Sequence, residues 1–349
     1  MPTSPAPAAP RRILLIRLSA FGDVVIATGL LQGLKRAYPD AEIDWLVQPE
    51  FAGLLRTQPA IAQVQVWERK RWGQRFRSLH WLALLQEVLG FRRQLKARDY
   101  DWVIDAQGLA KSRLLAWLAG GRQRLGYRSK EPLEGVLHTV VTRHPEASPD
   151  RRVIGDEHLP MAAALGAAPL HGPQLLAVET SPPPAALVLL APFTTRPQKH
   201  WPEGHWRQLI NELLALGLPL GLLGGPADRA AAESLLAGLP EGTVTNLVGQ
   251  TSFIAAGSWI AQCQALVGVD TGLTHMAVAL GRPTVALFGS TLPYRQAPAA
   301  AVAPLKVIWL GLACSPCGRK PTCGGRWDCL QMISPRAVSA SLRELLARP

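Results

Sequence analysis

Hydrophobic positions in this chain fall in short continuous runs rather than in strict alternation, and most runs lead through a loop into a stretch of helical length. Ile13-Leu14-Leu15-Ile16 runs into Ser19-Ala20-Phe21-Gly22-Asp23, and residues 24–38 then read as an apolar-rich helix. Residues 42–47 and 102–105 are further buried strands, with helices between them. Continuous apolar strands alternating with helices predict a parallel sheet covered on both faces, which is a doubly wound α/β domain.

The same pattern restarts after a proline-rich break. Residues 178–186 read Val-Glu-Thr-Ser-Pro-Pro-Pro-Ala-Ala, and three consecutive prolines cannot continue a helix or a central strand. Beyond them the pattern predicts strands at 187–192, 218–223, 243–248, 265–269 and 284–288 and helices at 206–216, 229–238 and 275–280. An amphipathic helix at 335–347 closes the chain. The predicted organisation is a disordered tail over 1–11, a Rossmann-like domain over 12–178, a linker over 179–186, and a second Rossmann-like domain over 187–334. Residues 335–349 are expected to form a helix packing back toward the N-terminal domain. Two doubly wound domains facing across a cleft would place a ligand between the carboxyl ends of both sheets. No short repeat period is present.

Composition narrows the classes. The chain has 349 residues, 48% of them hydrophobic and 18% charged, which excludes intrinsic disorder. The uncharged stretch 242–269 is long enough to cross a bilayer, but Asn246, Gln250, Gln262, Gln264 and its glycines break it into short elements. The opening Met-Pro-Thr-Ser-Pro-Ala-Pro-Ala-Ala-Pro lacks a basic region followed by an apolar one, so a secretory signal is not expected. A soluble, cytoplasmic protein is the expectation. Charge is concentrated: residues 69–130 hold 15 Lys+Arg against 4 Asp+Glu, or +11 of the overall +12. Trp72, Phe76 and Trp81 lie among the first basic group. Such clustering predicts an anionic partner, which is a phosphorylated substrate or a membrane surface before it is nucleic acid, for no nucleic-acid-binding motif is present.

Three places carry candidate chemistry. Asp23, at the turn between the first strand and helix, is either a helix cap or a general base. Thr194-Thr195-Arg196-Pro197-Gln198-Lys199 follows the first strand of the second domain, and its hydroxyls and cations suit a diphosphate. Asp270 is the only acidic residue between Glu241 and Asp328, and Thr271-Gly272-Leu273-Thr274-His275 after it opens a helix whose N-terminus suits a phosphate. An Asp beside such a site would bind sugar hydroxyls, because it repels phosphate. No G-x-x-x-x-G-K-[ST] is present, and no G-x-G-x-x-G follows the first strand, so a P-loop NTPase and a dehydrogenase lose their main support. Cys314, Cys317, Cys323 and Cys329 form a cluster that is either a structural zinc site or a loop of free thiols, and Cys263 is expected inside a helix.

Taken together, residues 13–24, 103–112 (Val-Ile-Asp-Ala-Gln-Gly-Leu-Ala-Lys-Ser), 194–202 and 269–275 resemble the ADP-heptose:lipopolysaccharide heptosyltransferases of glycosyltransferase family 9. The 105–112 segment and Lys130-Glu131-Pro132-Leu133 are most similar to the type I members, whereas the cysteine cluster is closer to type II and related members. The resemblance implies a GT-B fold and an inverting transferase that needs no cofactor or catalytic metal. It implies transfer of L-glycero-D-manno-heptose from ADP-heptose to the Kdo of Kdo-lipid A, with Asp23 as the base. Thr194, Thr195 and Lys199 would hold the diphosphate, Asp270 the heptose hydroxyls, and Thr271, Gly272 and His275 would lie near the phosphates. Lys111 and Arg128 are the expected acceptor contacts, at the inner face of the cytoplasmic membrane. Rival readings are a family-9 transferase with another acceptor or nucleotide sugar and, further off, a basic zinc-containing binding protein.

Overall fold

The computed structural model describes residues 9–142, 153–167, 172–176, 187–294 and 304–347. The linker expected at 179–186, and residues 1–8 of the expected tail, lie outside them. The chain divides into two compact units, Met1–Pro145 with Gly155–His171, and Glu146–Ile154 with Gly172–Pro349.

The first unit contains β1 (Arg12–Ile16), α1 (Phe21–Ala37), β2 (Glu42–Val47), α2 (Pro49–Arg56), β3 (Gln63–Val66), α3 (Arg69–Arg77), α4 (Trp81–Lys96), β4 (Trp102–Asp105), α5 (Ala110–Ala119), β5 (Gln123–Tyr127), β6 (Thr139–Val141) and α6 (Leu159–Ala164). The strands are ordered β3-β2-β1-β4-β5-β6, and every pairing is parallel. Ile13 stands opposite Ile43 and Trp102, and Ile16 opposite Leu46 and Asp105. Ile13 and Leu15 pack into one apolar cluster with α1, while Leu14 and Ile16 pack into another with α5. Both faces of the strand are therefore buried, which is why all four residues are apolar. The order reverses between β1 and β4, the place where open parallel sheets bind ligands beyond the strands' carboxyl ends.

The second unit repeats this plan with β7 (Val188–Ala191), α7 (Glu203–Ala215), β8 (Leu220–Leu222), α8 (Arg229–Leu236), β9 (Val244–Asn246), α9 (Phe253–Gln262), β10 (Ala265–Val269), α10 (Gly272–Ala279), β11 (Thr284–Leu287), β12 (Leu305–Ile308), α11 (Asp328–Gln331) and α12 (Pro335–Leu346). Its order is β12-β11-β10-β7-β8-β9, again all parallel, with the reversal between β7 and β10. Gly268 in β10 is required by close approach, since a Cβ there would collide with the Thr274 hydroxyl.

Two expectations need correction. The final helix was expected to pack back toward the N-terminal domain. Its buried face, Val338, Leu342 and Leu345, instead joins the core of the second unit, where α12 packs on α7, β10, β11 and β12. Ser334 caps it by accepting from the Ala337 N–H at 3.3 Å. Cys263 is buried as expected but lies just beyond α9, in extended backbone, rather than inside a helix. No helix among the described residues is long and apolar enough to cross a membrane.

Candidate active site

Charged residues singled out from the sequence stand at both reversal points. In the first unit Asp23 is the third residue of α1, one short loop after β1. Its Oδ2 accepts the Ala20 N–H at 3.1 Å, so the capping role is real. The same Oδ2 is 2.9 Å from the Arg17 guanidinium. Arg17 is itself fixed, because its Nη1 donates to the Ala106 carbonyl at 2.7 Å, just past β4. Both contacts fall on one oxygen. Among the described residues Oδ1 has no partner, and the Asp23 side chain is 45% exposed. One oxygen is thus oriented and the other is open.

Lys111, in the first turn of α5, is half-buried. Burial, with Arg69 and Arg17 adding positive charge nearby, holds its pKa below the ordinary lysine value. No carboxylate neutralises it among the described residues, so the field around it favours an incoming anion. Arg128, past the end of β5, is exposed, and its side chain makes no ion pair among the described residues. The Lys130–Leu133 segment is held by the fully buried Arg113, whose guanidinium donates to the carbonyls of Tyr127, Glu131 and Pro132 and to the Ser129 hydroxyl.

Asp270 in the second unit follows β10 directly and is buried. The Lys199 ammonium and the Thr291 hydroxyl contact its Oδ2, and His275 Nε2 lies 3.2 Å from Oδ1. Burial alone would raise the carboxyl pKa. The His275 hydrogen bond and the Lys199 charge outweigh it and hold the group well below the usual carboxylate range. His275 Nδ1 is 2.8 Å from the Tyr294 hydroxyl. Burial and the Asp270 charge keep Tyr294 protonated far above its ordinary pKa. His275 thus bridges the two groups, with Nδ1 on the Tyr294 hydroxyl and Nε2 on Asp270 Oδ1.

Lys199 and Asp270, read from the sequence as separate donor contacts, are thus one ion pair. Thr271 occupies the N-cap position of α10, yet its hydroxyl makes no capping bond. Gly272 begins that helix, and among the described residues its N–H has no backbone partner. Thr194 and Thr195 share the Lys199 loop, which closes through a 2.8 Å contact between His200 Nε2 and the Thr194 carbonyl. Thr195 is exposed. Sequence reasoning missed Arg17, Thr291 and Tyr294. Arg17 had a signal, being a charge directly after a buried strand, but Thr291 and Tyr294 belong to a loop after β11 that carries no motif.

Among the described residues no group of three or more His, Cys, Asp or Glu side chains is arranged to hold a metal ion. Cys314 is exposed, Cys317 and Cys323 half-buried and Cys329 buried, all as free thiols. An aromatic cavity of about 420 Å³, lined in part by Phe193, Trp201, Trp206 and Trp327, includes none of Lys199, Asp270 and His275.

Comparison with known proteins converges on one family. The profile of Glycosyltransferase family 9 (heptosyltransferase) matches residues 88–327. Lipopolysaccharide heptosyltransferase 1 of Pseudomonas aeruginosa is 34% identical over 302 residues, 81% of this chain and 79% of the relative. Its counterpart from Escherichia coli K12 is 31% identical, covering 81% of this chain and 89% of that protein. Among solved structures, E. coli ADP-heptose lps heptosyltransferase II superposes with a TM-score of 0.73 at 26% identity, covering 96% of this chain and 98% of the other. E. coli heptosyltransferase WaaC with ADP-2-deoxy-2-fluoro heptose gives 0.71 at 27%, covering 95% and 99%.

Proposed function

This chain belongs to glycosyltransferase family 9, the heptosyltransferases of lipopolysaccharide inner-core synthesis, and has their GT-B fold; from that premise we propose that it moves heptose from ADP-heptose to the Kdo of Kdo-lipid A, with Asp23 as general base. The observation that carries the catalytic assignment is the asymmetry of Asp23, with Oδ2 held by Ala20 and Arg17 and Oδ1 open. An acceptor hydroxyl hydrogen-bonded to Oδ1 gives up its proton there as its oxygen attacks the anomeric carbon. The bond from that carbon to the diphosphate breaks, and ADP leaves with the electron pair. Attack opposite the leaving group inverts the anomeric centre.

The growing charge on the diphosphate is met by Lys199, by the hydroxyls of Thr194 and Thr195, and by the start of α10 at Thr271 and Gly272. Asp270 holds Lys199 and His275 in place. Its Oδ1 has a second lone pair, which suits a heptose hydroxyl. Because protein cations face the leaving group, no catalytic metal is required in this scheme. Lys111 and Arg128 serve acidic groups of the acceptor, and the basic first unit suits peripheral binding at the inner face of the cytoplasmic membrane.

The test is ADP release from ADP-heptose by purified protein, with and without Kdo-lipid A. Release that depends on this acceptor, and that survives a chelator, is the expected result. Release only with an already heptosylated core would move the acceptor assignment to the type II position. Failure to bind ADP or ADP-heptose would overturn the proposal.

A further inference from the structure

Single exposed leucines are ordinary on a protein surface, but six large apolar side chains on one helical hairpin are not. Phe76, Leu79, Trp81, Leu82, Leu85 and Leu89, on α3, α4 and the turn between them, are between 44% and 79% exposed. The hairpin's inner side is anchored. Trp72 packs edge-to-face on Trp67 and Phe91, with ring centroids 6.0 and 5.7 Å apart, and Glu87 of α4 pairs with both Arg71 and Arg75 of α3. The outer side is bare. Leu82, Leu85 and Leu89 recur at helical spacing along α4, on the side away from the buried Leu95. At the tip Phe76 and Trp81 meet edge-to-face at 4.6 Å, and Leu79, 70% exposed, takes a left-handed φ of 59° that glycine adopts at lower cost.

Charge identifies what covers this face. Residues 69–96 contain eight Lys+Arg and one acid, Glu87, which Arg71 and Arg75 already neutralise. A second copy of the chain would bring the same sign of charge to the contact. Apolar and aromatic side chains rimmed by arginine are the composition of elements that lie in the interface of an anionic bilayer. We infer that the α3–α4 hairpin is a membrane-docking element, with Phe76, Leu79, Trp81, Leu82, Leu85 and Leu89 entering the acyl boundary of an anionic phospholipid bilayer and the surrounding Arg and Lys contacting its headgroups. The inference deepens the peripheral-membrane reading above by naming the surface, and it does not depend on which sugar is transferred.

The test is co-sedimentation of the full chain with vesicles of phosphatidylglycerol and phosphatidylcholine, and with phosphatidylcholine alone. Wild-type protein should bind the anionic vesicles. The double variant Leu79→Asp/Leu82→Asp should bind at least tenfold more weakly, while melting at the wild-type temperature and binding ADP as before. A second variant, Leu82→Ser/Leu85→Ser, keeps the charge constant and should also weaken binding. Turnover on a delipidated soluble acceptor should be unchanged in both. Unchanged vesicle binding in both variants, or binding abolished by salt alone and indifferent to these leucines, would overturn insertion. So would a wild-type dimer that these changes make monomeric without any vesicle binding. Loss of vesicle binding in a chain that transfers no heptose would sink the transferase scheme and leave the docking surface standing.

Discussion

Asp23 follows β1 in one sheet and Asp270 follows β10 in the other, so both carboxylates stand where a strand order reverses. Each also carries a cation on Oδ2, but their burial and their remaining contacts differ. Asp23 is 45% exposed, with one oxygen oriented by Arg17 and the Ala20 N–H and the other open. Asp270 is buried and gripped by Lys199, His275 and Thr291, which hold its pKa well down. A carboxylate so stabilised as the anion will not take a proton at neutral pH, but it can fix a cation and an imidazole. The open carboxylate offers a free oxygen to an incoming hydroxyl and is still aimed. Environment rather than residue type divides the work between two aspartates.

The largest effect expected from breaking this division is at Asp23. Asp23→Asn keeps the shape and a hydrogen-bond acceptor for Ala20, and should lower kcat by about a hundred- to ten-thousand-fold, as losing a general base does. Steady-state turnover with saturating donor and acceptor measures it, and near-wild-type turnover in the folded variant would remove Asp23 from the chemistry. Lys199→Ala should lower kcat by about a hundred- to a thousandfold, because it removes the cation that the proposed mechanism sets against the leaving diphosphate. The same assay checks it, and a change in KM alone would make Lys199 a uniform binding contact.

Asp270→Asn sharpens the comparison through stability. Removing one member of a buried ion pair costs about 3–5 kcal/mol, which calorimetric or denaturant unfolding would detect. The sign with pH follows from a depressed folded-state pKa. The stabilisation is fully present above the unfolded carboxyl value of about 3.9 and is lost as pH falls through the folded value. The gap between wild type and Asp270→Asn should therefore narrow only below about pH 4; a gap that closes near neutrality would contradict the ion-pair account. The smallest effect is at Lys111. Its lowered pKa means that acceptor KM should begin to rise with pH below the ordinary lysine value of about 10.4. Lys111→Arg, with a guanidinium that stays charged, should flatten that rise, and an identical profile in the variant would place the titrating group elsewhere.

The interiors of both sheets were legible because parallel strands buried on two faces must be continuous apolar runs. Ile13–Ile16 and Ala265–Val269 could hardly be anything else. Edges were only partly legible: β9 falls inside the strand expected at 243–248, whereas β3, β6 and β12 were not expected. β3 is Gln-Val-Gln-Val, half polar because an edge strand need not be apolar throughout, β12 is interrupted by Lys306, and β6 has only three residues. The amphipathic pattern of α12 says that one face is buried but not against which sheet, hence the misplaced expectation for its packing. In the candidate site, Asp270 stood out as a lone acid. Its bond to Thr291 and the His275–Tyr294 contact span 21 and 19 residues through an intervening strand, and no local spacing encodes such a contact.

The division of labour between the two aspartates is tested most directly by calorimetric titration of ADP-heptose into Asp23→Asn and Asp270→Asn, side by side with wild type. The account predicts wild-type donor affinity for Asp23→Asn and at least tenfold weaker binding for Asp270→Asn, which releases Lys199 from its fixed position. Equal loss in both variants, or loss confined to Asp23→Asn, would contradict it.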